Sequence, residues 1–242
     1  MNKPIPMHTP RHRRHSHGFT ILEMSVVLVI IALIIGAVSV GRDVYRSAVA
    51  ERISTEFVQG WIIAYDRYVA QVGTVPGDDL ANPTGRVQKG SATALCDTAS
   101  SKDLRNAMLE RGITLPTGRA EGQESRYVYQ DSNGLPQELQ VCFTSVINWA
   151  EPGADDTYVP RIRNVMVLFG LTPEMANQLD NRIDGRIDAR FGRLREQNRH
   201  SITTAIGSPP APNPWSKDGT DTQSGKPDGQ ASTLTGYLKM NQ

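Results

Sequence analysis

Histidine is nearly absent where it could do chemistry. Of the five histidines in the 242-residue chain, four (His8, His12, His15, His17) precede residue 18, and only His200 follows. A histidine-based triad or metal site has almost nothing to build on, and the lone His200 reads as a surface residue. Cysteine stops at two, Cys96 and Cys142. No further thiol or histidine stands at ligand spacing, which argues against a zinc site. The sequence shows no phosphate-cradling glycine loop and no nucleophile–base pair. We therefore expect no enzyme and no cofactor. Charge is missing too: Met24 through Gly41 carries none, and Glu23 is the one ionisable side chain between Phe19 and Gly41.

That uncharged run is the strongest feature present. With Phe19–Leu22 it is long enough to span a bilayer as a helix, and it lacks the polar face of a soluble core helix. A basic head precedes it: residues 1–18 hold Lys3, Arg11, Arg13 and Arg14 and no acid. Removing those four from the 26 basic residues leaves 22 against 25 acids, so the remainder carries −3. Basic residues before the span predict a cytoplasmic N-terminus and an exported head. Glu23 sits inside the apolar segment and needs a partner. If the chain were cut after Gly18, the α-amine of Phe19 would be a cation near neutral pH. It would lie roughly 6 Å from Glu23 along a helix.

The run Gly18-Phe19-Thr20-Ile21-Leu22-Glu23-Met24, with the apolar span behind it, closely resembles the class III signal of type IV pilins and pseudopilins. The resemblance implies cleavage between Gly18 and Phe19 by a prepilin peptidase, and methylation of the Phe19 amine. It implies that Glu23 pairs with an amine in the filament. It further implies other pilin or pseudopilin subunits and an inner-membrane assembly platform as partners. The precursor would lie in the bacterial inner membrane with its head in the periplasm, later joining a periplasmic or cell-surface filament. Two departures stand out: Ile21-Leu22 reverses the commoner order, and Val40 stands where many pilins carry a proline. An ordinary secretory signal cut near Ala37-Val38-Ser39, and a plain signal anchor, are the simpler alternatives.

Beyond Gly41 the helical pattern continues. Tyr45, Val49, Ile53, Phe57, Trp61, Tyr65 and Val69 recur every four residues, predicting an amphipathic helix to about Gln71. Gly73 suits its end, and Pro76 cannot prolong it. The expected fold is α+β and pilin-like: a long N-terminal helix carrying a globular head with an antiparallel sheet. The expected divisions are a removed leader (1–18), a membrane or filament-core helix (19–41), its amphipathic continuation (42–72), the head (73–206) and a Gly/Pro-rich tail or loop (207–242). Within the head, Arg126–Gln130 and Glu138–Asn148 read as a hairpin. Val165–Phe169 reads as a strand, and Thr172-Pro173-Glu174 as a helix start. Pro76-Gly77-Asp78 and the run from Leu179 to Gly185 are similar to features of prepilin-like proteins; Asp78 and Asp79 read as turn residues.

On the exported side, Cys96 and Cys142 are expected to pair. Asp218, Asp221 and Asp228 lie among tail glycines as calcium candidates, but their spacing matches no calcium loop, and a solvated loop is the favoured reading. Arg182, Arg186 and Arg190 would share one helical face and could contact nucleic acid; interleaved acids favour a salt-bridged surface instead. The functional expectation is a structural filament subunit, minor rather than major given its size. The rivals are a type II secretion pseudopilin and a tip adhesin or DNA-binding pilin.

Overall fold

The computed structural model describes residues 19–154, 157–204, 212–218 and 229–241. The chain divides into two units, at residue 45. In the first, helix α1 (Ile21–Arg52) begins its course, and every apolar side chain from Phe19 to Val44 is exposed. A helix of uncharged, bulky apolar residues with no protein against it is long and apolar enough to cross a membrane.

In the second unit α1 runs into a π-turn (Ile53–Val58) and then α2 (Gln59–Val72). A four-residue repeat overruns an α-helical turn by about 0.4 residue, so on a regular helix the stripe would drift off its face. The wider π-turn takes up that excess, and Ile53, Phe57, Trp61 and Tyr65 all lie fully buried. Gly73 ends α2 with φ +82°, its N–H donating to the Val69 carbonyl.

The buried stripe packs on a five-stranded antiparallel sheet of order β1-β2-β3-β5-β4. The strands are β1 (Arg126–Gln130), β2 (Pro136–Pro152), β3 (Tyr158–Leu171), β4 (Leu194–Glu196) and β5 (Leu234–Lys239). Register sets the inner face: Val141 opposes Leu168, Phe143 opposes Met166, and Met166 opposes Leu238. Phe143 meets Tyr65 with ring centroids 5.0 Å apart and Trp61 at 6.1 Å. Two short helices complete the unit. Helix α3 is Asp103–Leu109. Helix α4 (Pro173–Asp184) has Thr172 as N-cap, accepting from the Met175 N–H at 3.3 Å, and Gly185 in the left-handed C-cap.

The outer face of the sheet carries a second, smaller cluster of Cys142, Trp149, Val165 and Val167. A bulge between Val146 and Trp149 keeps Trp149 on that face. A second bulge, between Phe169 and Leu171, contains Gly170 at φ +81°. A Cβ there would fall 2.1 Å from the Glu138 carbonyl oxygen, so only glycine fits.

The α+β expectation holds: a long helix precedes a head with an antiparallel sheet. The tail expectation needs correcting at its end. Leu234–Lys239 is no loop but strand β5, paired on both sides by β3 and β4. Its apolar residues Leu234 and Leu238 complete the inner face, with Gly236 between them under Leu171 and Trp215.

Candidate functional site

The N-terminal segment is where the sequence concentrates its chemistry. Gly18 lies outside the described residues. Phe19 is 77% exposed. Two later residues of the signal, Thr20 and Glu23, are joined by a reciprocal pair of bonds. Thr20 Oγ1 accepts from the Glu23 N–H at 3.2 Å, and the Glu23 carboxylate accepts from the Thr20 N–H at 3.2 Å. The Thr20 hydroxyl is 3.3 Å from the same carboxylate. This is a capping box, Thr-x-x-Glu, satisfying two donors that an α-helix otherwise leaves unpaired. Its pattern stands in the sequence as Thr20-Ile21-Leu22-Glu23, but reading Glu23 as lacking a local partner passes over it. The box turns the carboxylate back toward the N-terminal end of α1, where the positive end of the helix dipole favours it. A free amine at Phe19 would therefore arise on the side the carboxylate already faces.

Cys96 and Cys142 are joined, with S–S 2.04 Å and Cα–Cα 4.6 Å. The bridge ties the 94–98 segment to the outer face of the sheet. Next to it Leu95 pairs with Phe143 through two backbone bonds of 2.7 and 3.0 Å.

The structure does not form a single strip of Arg182, Arg186 and Arg190. Helix α4 ends at Gly185, so only Arg182 is helical. Arg182 pairs with Glu51 on α1, and Arg186 pairs with Asp188 at 2.8 Å. Arg190 is buried, donating to the Ile202 and Thr204 carbonyls and stacking at 4.9 Å from the Phe191 ring centroid. Of the calcium candidates, Asp221 and Asp228 lie outside the described residues. Among the described residues no group of three or more metal-ligating side chains occurs. Asp78 is a turn organiser, accepting from Thr84 N, Thr84 Oγ1 and Gly85 N, each at 2.8 Å.

What the residues do after α4 was not foreseen. Three aspartates spaced four apart stitch the loop from Gly185 to β4. Asp184 accepts from the Arg193 and Leu194 amides at 2.9 Å. Asp188 accepts from the Arg190 and Phe191 amides at 3.1 and 3.2 Å. Asp180, fully buried, accepts through Oδ2 from the Asp188 amide at 2.8 Å and the Trp215 indole at 3.1 Å. Its Oδ1 has no partner among the described residues. Burial pushes this carboxyl up to about 7, with Asp184 and Asp188 adding to the shift against the two hydrogen bonds. Gly192, at φ +94°, lets the chain pass Asp184, whose carboxylate a Cβ would strike at 2.4 Å.

His200 is not a surface residue. It is buried against Trp149 and Tyr237, with ring centroids at 5.9 and 4.9 Å. Beside it Arg195 lies over the Trp149 ring at 4.2 Å and donates to the carbonyls of Gly192 and Ala150 at 2.9 and 2.6 Å. Burial holds Arg195 down at about 10. Sequence carried no signal for this pair, because the Trp149 and Tyr237 rings that bury it arrive from the distant strands β2 and β5.

Residues 13–39 match the family model described as the prokaryotic N-terminal methylation motif. This chain carries the N-terminal signal of a type IV pilin-like precursor. The match takes in Gly18, Phe19, Glu23 and most of the apolar run, 27 of 242 residues (39 − 13 + 1), and does not reach the head. No curated protein and no solved structure matches the chain. The signal implies processing by a prepilin peptidase and assembly with other pilin subunits, and it fits a membrane-anchored precursor.

Proposed function

We propose that this protein is a minor structural subunit of a type IV pilus-like filament. It is inserted in the inner membrane with its head in the periplasm, cut between Gly18 and Phe19, and methylated on the Phe19 amine. The observation that carries the reading is the methylation motif, with a Glu23 carboxylate aimed back at the processing end of a helix whose apolar side chains from Phe19 to Val44 are all exposed. Such a helix has two partners available, lipid before assembly and neighbouring helices after it. Glu23 then exchanges its local amide donor for the amine of another subunit. That partner is charged, and its hydrogen bond is roughly twice as strong as one to a neutral group. A head built of five strands and the helices α3 and α4 is large, which favours a minor subunit over the bulk one. The chemistry at Gly18–Phe19 belongs to the peptidase, and this chain is its substrate.

Co-expression with a prepilin peptidase tests the processing step. Intact-mass analysis should show loss of residues 1–18 and gain of one methyl group on Phe19. Substituting Gly18→Glu should leave the full-length precursor in the membrane. Efficient cleavage of the Gly18→Glu chain, or a cut beyond Ala37, would refute the assignment.

A further inference from the structure

We propose that residues 213–216 form a strap clasped to the head by buried carboxyl groups, and that ionisation of Asp180 unlatches it. The inference is independent of the filament reading.

The strap is held at four points. Trp215 donates from its indole to Asp180 Oδ2 at 3.1 Å. Asn213 donates from Nδ2 to Asp188 Oδ1 at 3.2 Å, and its carbonyl accepts from the Ala189 amide at 2.8 Å. Ser216 donates from both its N–H, at 3.0 Å, and its hydroxyl to Glu196. Asp180, Asp188 and Glu196 are all at most 3% exposed. The strap thus has almost no backbone pairing to the sheet and rests on side-chain acceptors. Trp215 is its apolar plug, 5% exposed, closing over Gly236.

Charge around the clasp is unbalanced. Asp184, on the same helix, and Asp188, in the loop packed against it, both act on Asp180. Glu196 takes Arg199 at 3.2 Å, and Asp188 takes Arg186, whose side chain is 61% exposed. Arg195, on β4, feels Asp184 and Asp188 but bonds only to carbonyls. Among the described residues Asp180 has no cation in contact, and its Oδ1 lacks any donor. A neutral carboxyl tolerates that position, whereas a carboxylate there demands water. The cheapest route for water is to lift the strap, since α4 and the sheet are each held by continuous backbone pairing. Release would uncover Trp215 and the inner edge of β4 and β5.

The test is amide hydrogen exchange on the full chain in detergent, across pH 4 to 9, corrected for the intrinsic pH dependence. The amides of Ser216 and Ala189 report the strap; that of Gln197, bonded to the Thr235 carbonyl at 3.0 Å, reports the sheet. Protection at Ser216 and Ala189 should fall by up to about tenfold per pH unit as pH rises from the ordinary carboxylate range toward the Asp180 midpoint and level off above it, while Gln197 stays level. Asp180→Asn should flatten the strap profile without changing that of Gln197. Equal profiles at strap and sheet in the wild type would overturn the proposal, whether or not the variant folds. So would an unchanged slope in Asp180→Asn.

Discussion

Reduction of the Cys96–Cys142 bridge offers the sharpest quantitative check on how the head is held together. The bridge closes a loop of 46 positions. On the chain-entropy model such a loop destabilises the unfolded state by roughly 4 kcal/mol. The native state should lose little when the bond is broken. Leu95 is buried and remains paired to Phe143 by two backbone bonds, and Asp97, also buried, accepts from the Ser125 hydroxyl at 2.7 Å and the Arg105 amide at 3.0 Å. The segment therefore stays docked without its covalent tie. Urea unfolding of the chain in detergent, with and without reductant, should show stability falling by about 3–4 kcal/mol. The slope should rise on reduction, because the open unfolded chain exposes more surface. At this size the thermal midpoint should drop by roughly 6–16 °C. A change under about 1 kcal/mol would show that the unfolded state is compact enough to make the link redundant. Loss of native signal in reductant without denaturant would show that the docking contacts are too weak to hold.

Other consequences follow from single positions. Thr20→Ala removes the acceptor for the Glu23 amide and should cost the start of α1 about 1 kcal/mol, seen as faster exchange at residues 20–24 in micelles; unchanged exchange would mean the box is not formed. His200 is held below its ordinary value by burial, with Arg195 adding to the shift and the Gln197 carbonyl opposing it. The unfolded state then takes up the proton first, so stability is fully present above about pH 6.5 and is lost as pH falls through the lower folded value. His200→Gln should flatten that acid slope, and a slope that persists would assign it to other groups. Gly170→Ala meets both a left-handed φ and the Glu138 carbonyl; it should destabilise the head by at least about 2 kcal/mol in urea unfolding, and a neutral result would contradict the bulge.

How much of this was readable in the sequence depends on how far each feature reaches along the chain. The helix from Ile21 to Val72, its Gly73 end, the β1–β2 hairpin and the Thr172-Pro173 helix start are all specified by neighbours within a few residues. Periodicity and capping chemistry suffice there. The π-turn was written in the four-residue spacing of the aromatics, which is longer than an α-helical turn. Strand β5 was obscured by the Gly- and Pro-rich run before it; its pairing with Leu171 and Phe169 joins residues more than sixty positions apart, which no local pattern encodes. The four-residue spacing of Arg182, Arg186 and Arg190 suggests a strip only on an unbroken helix, and α4 ends at Gly185. The three aspartates looked like surface charge because their donors are backbone amides of a loop whose path the sequence does not reveal. His200 and Arg195 are buried by strands arriving from elsewhere.

The most direct test of the filament account is mass spectrometry on filaments sheared from the native cell, quantified against the bulk pilin. The account predicts a peptide beginning at N-methylated Phe19, present at a small fraction of the bulk subunit. Finding that peptide only in the membrane fraction would move the protein to a secretion pseudopilin. Finding no chain that begins at Phe19 in either fraction would contradict the account at its root.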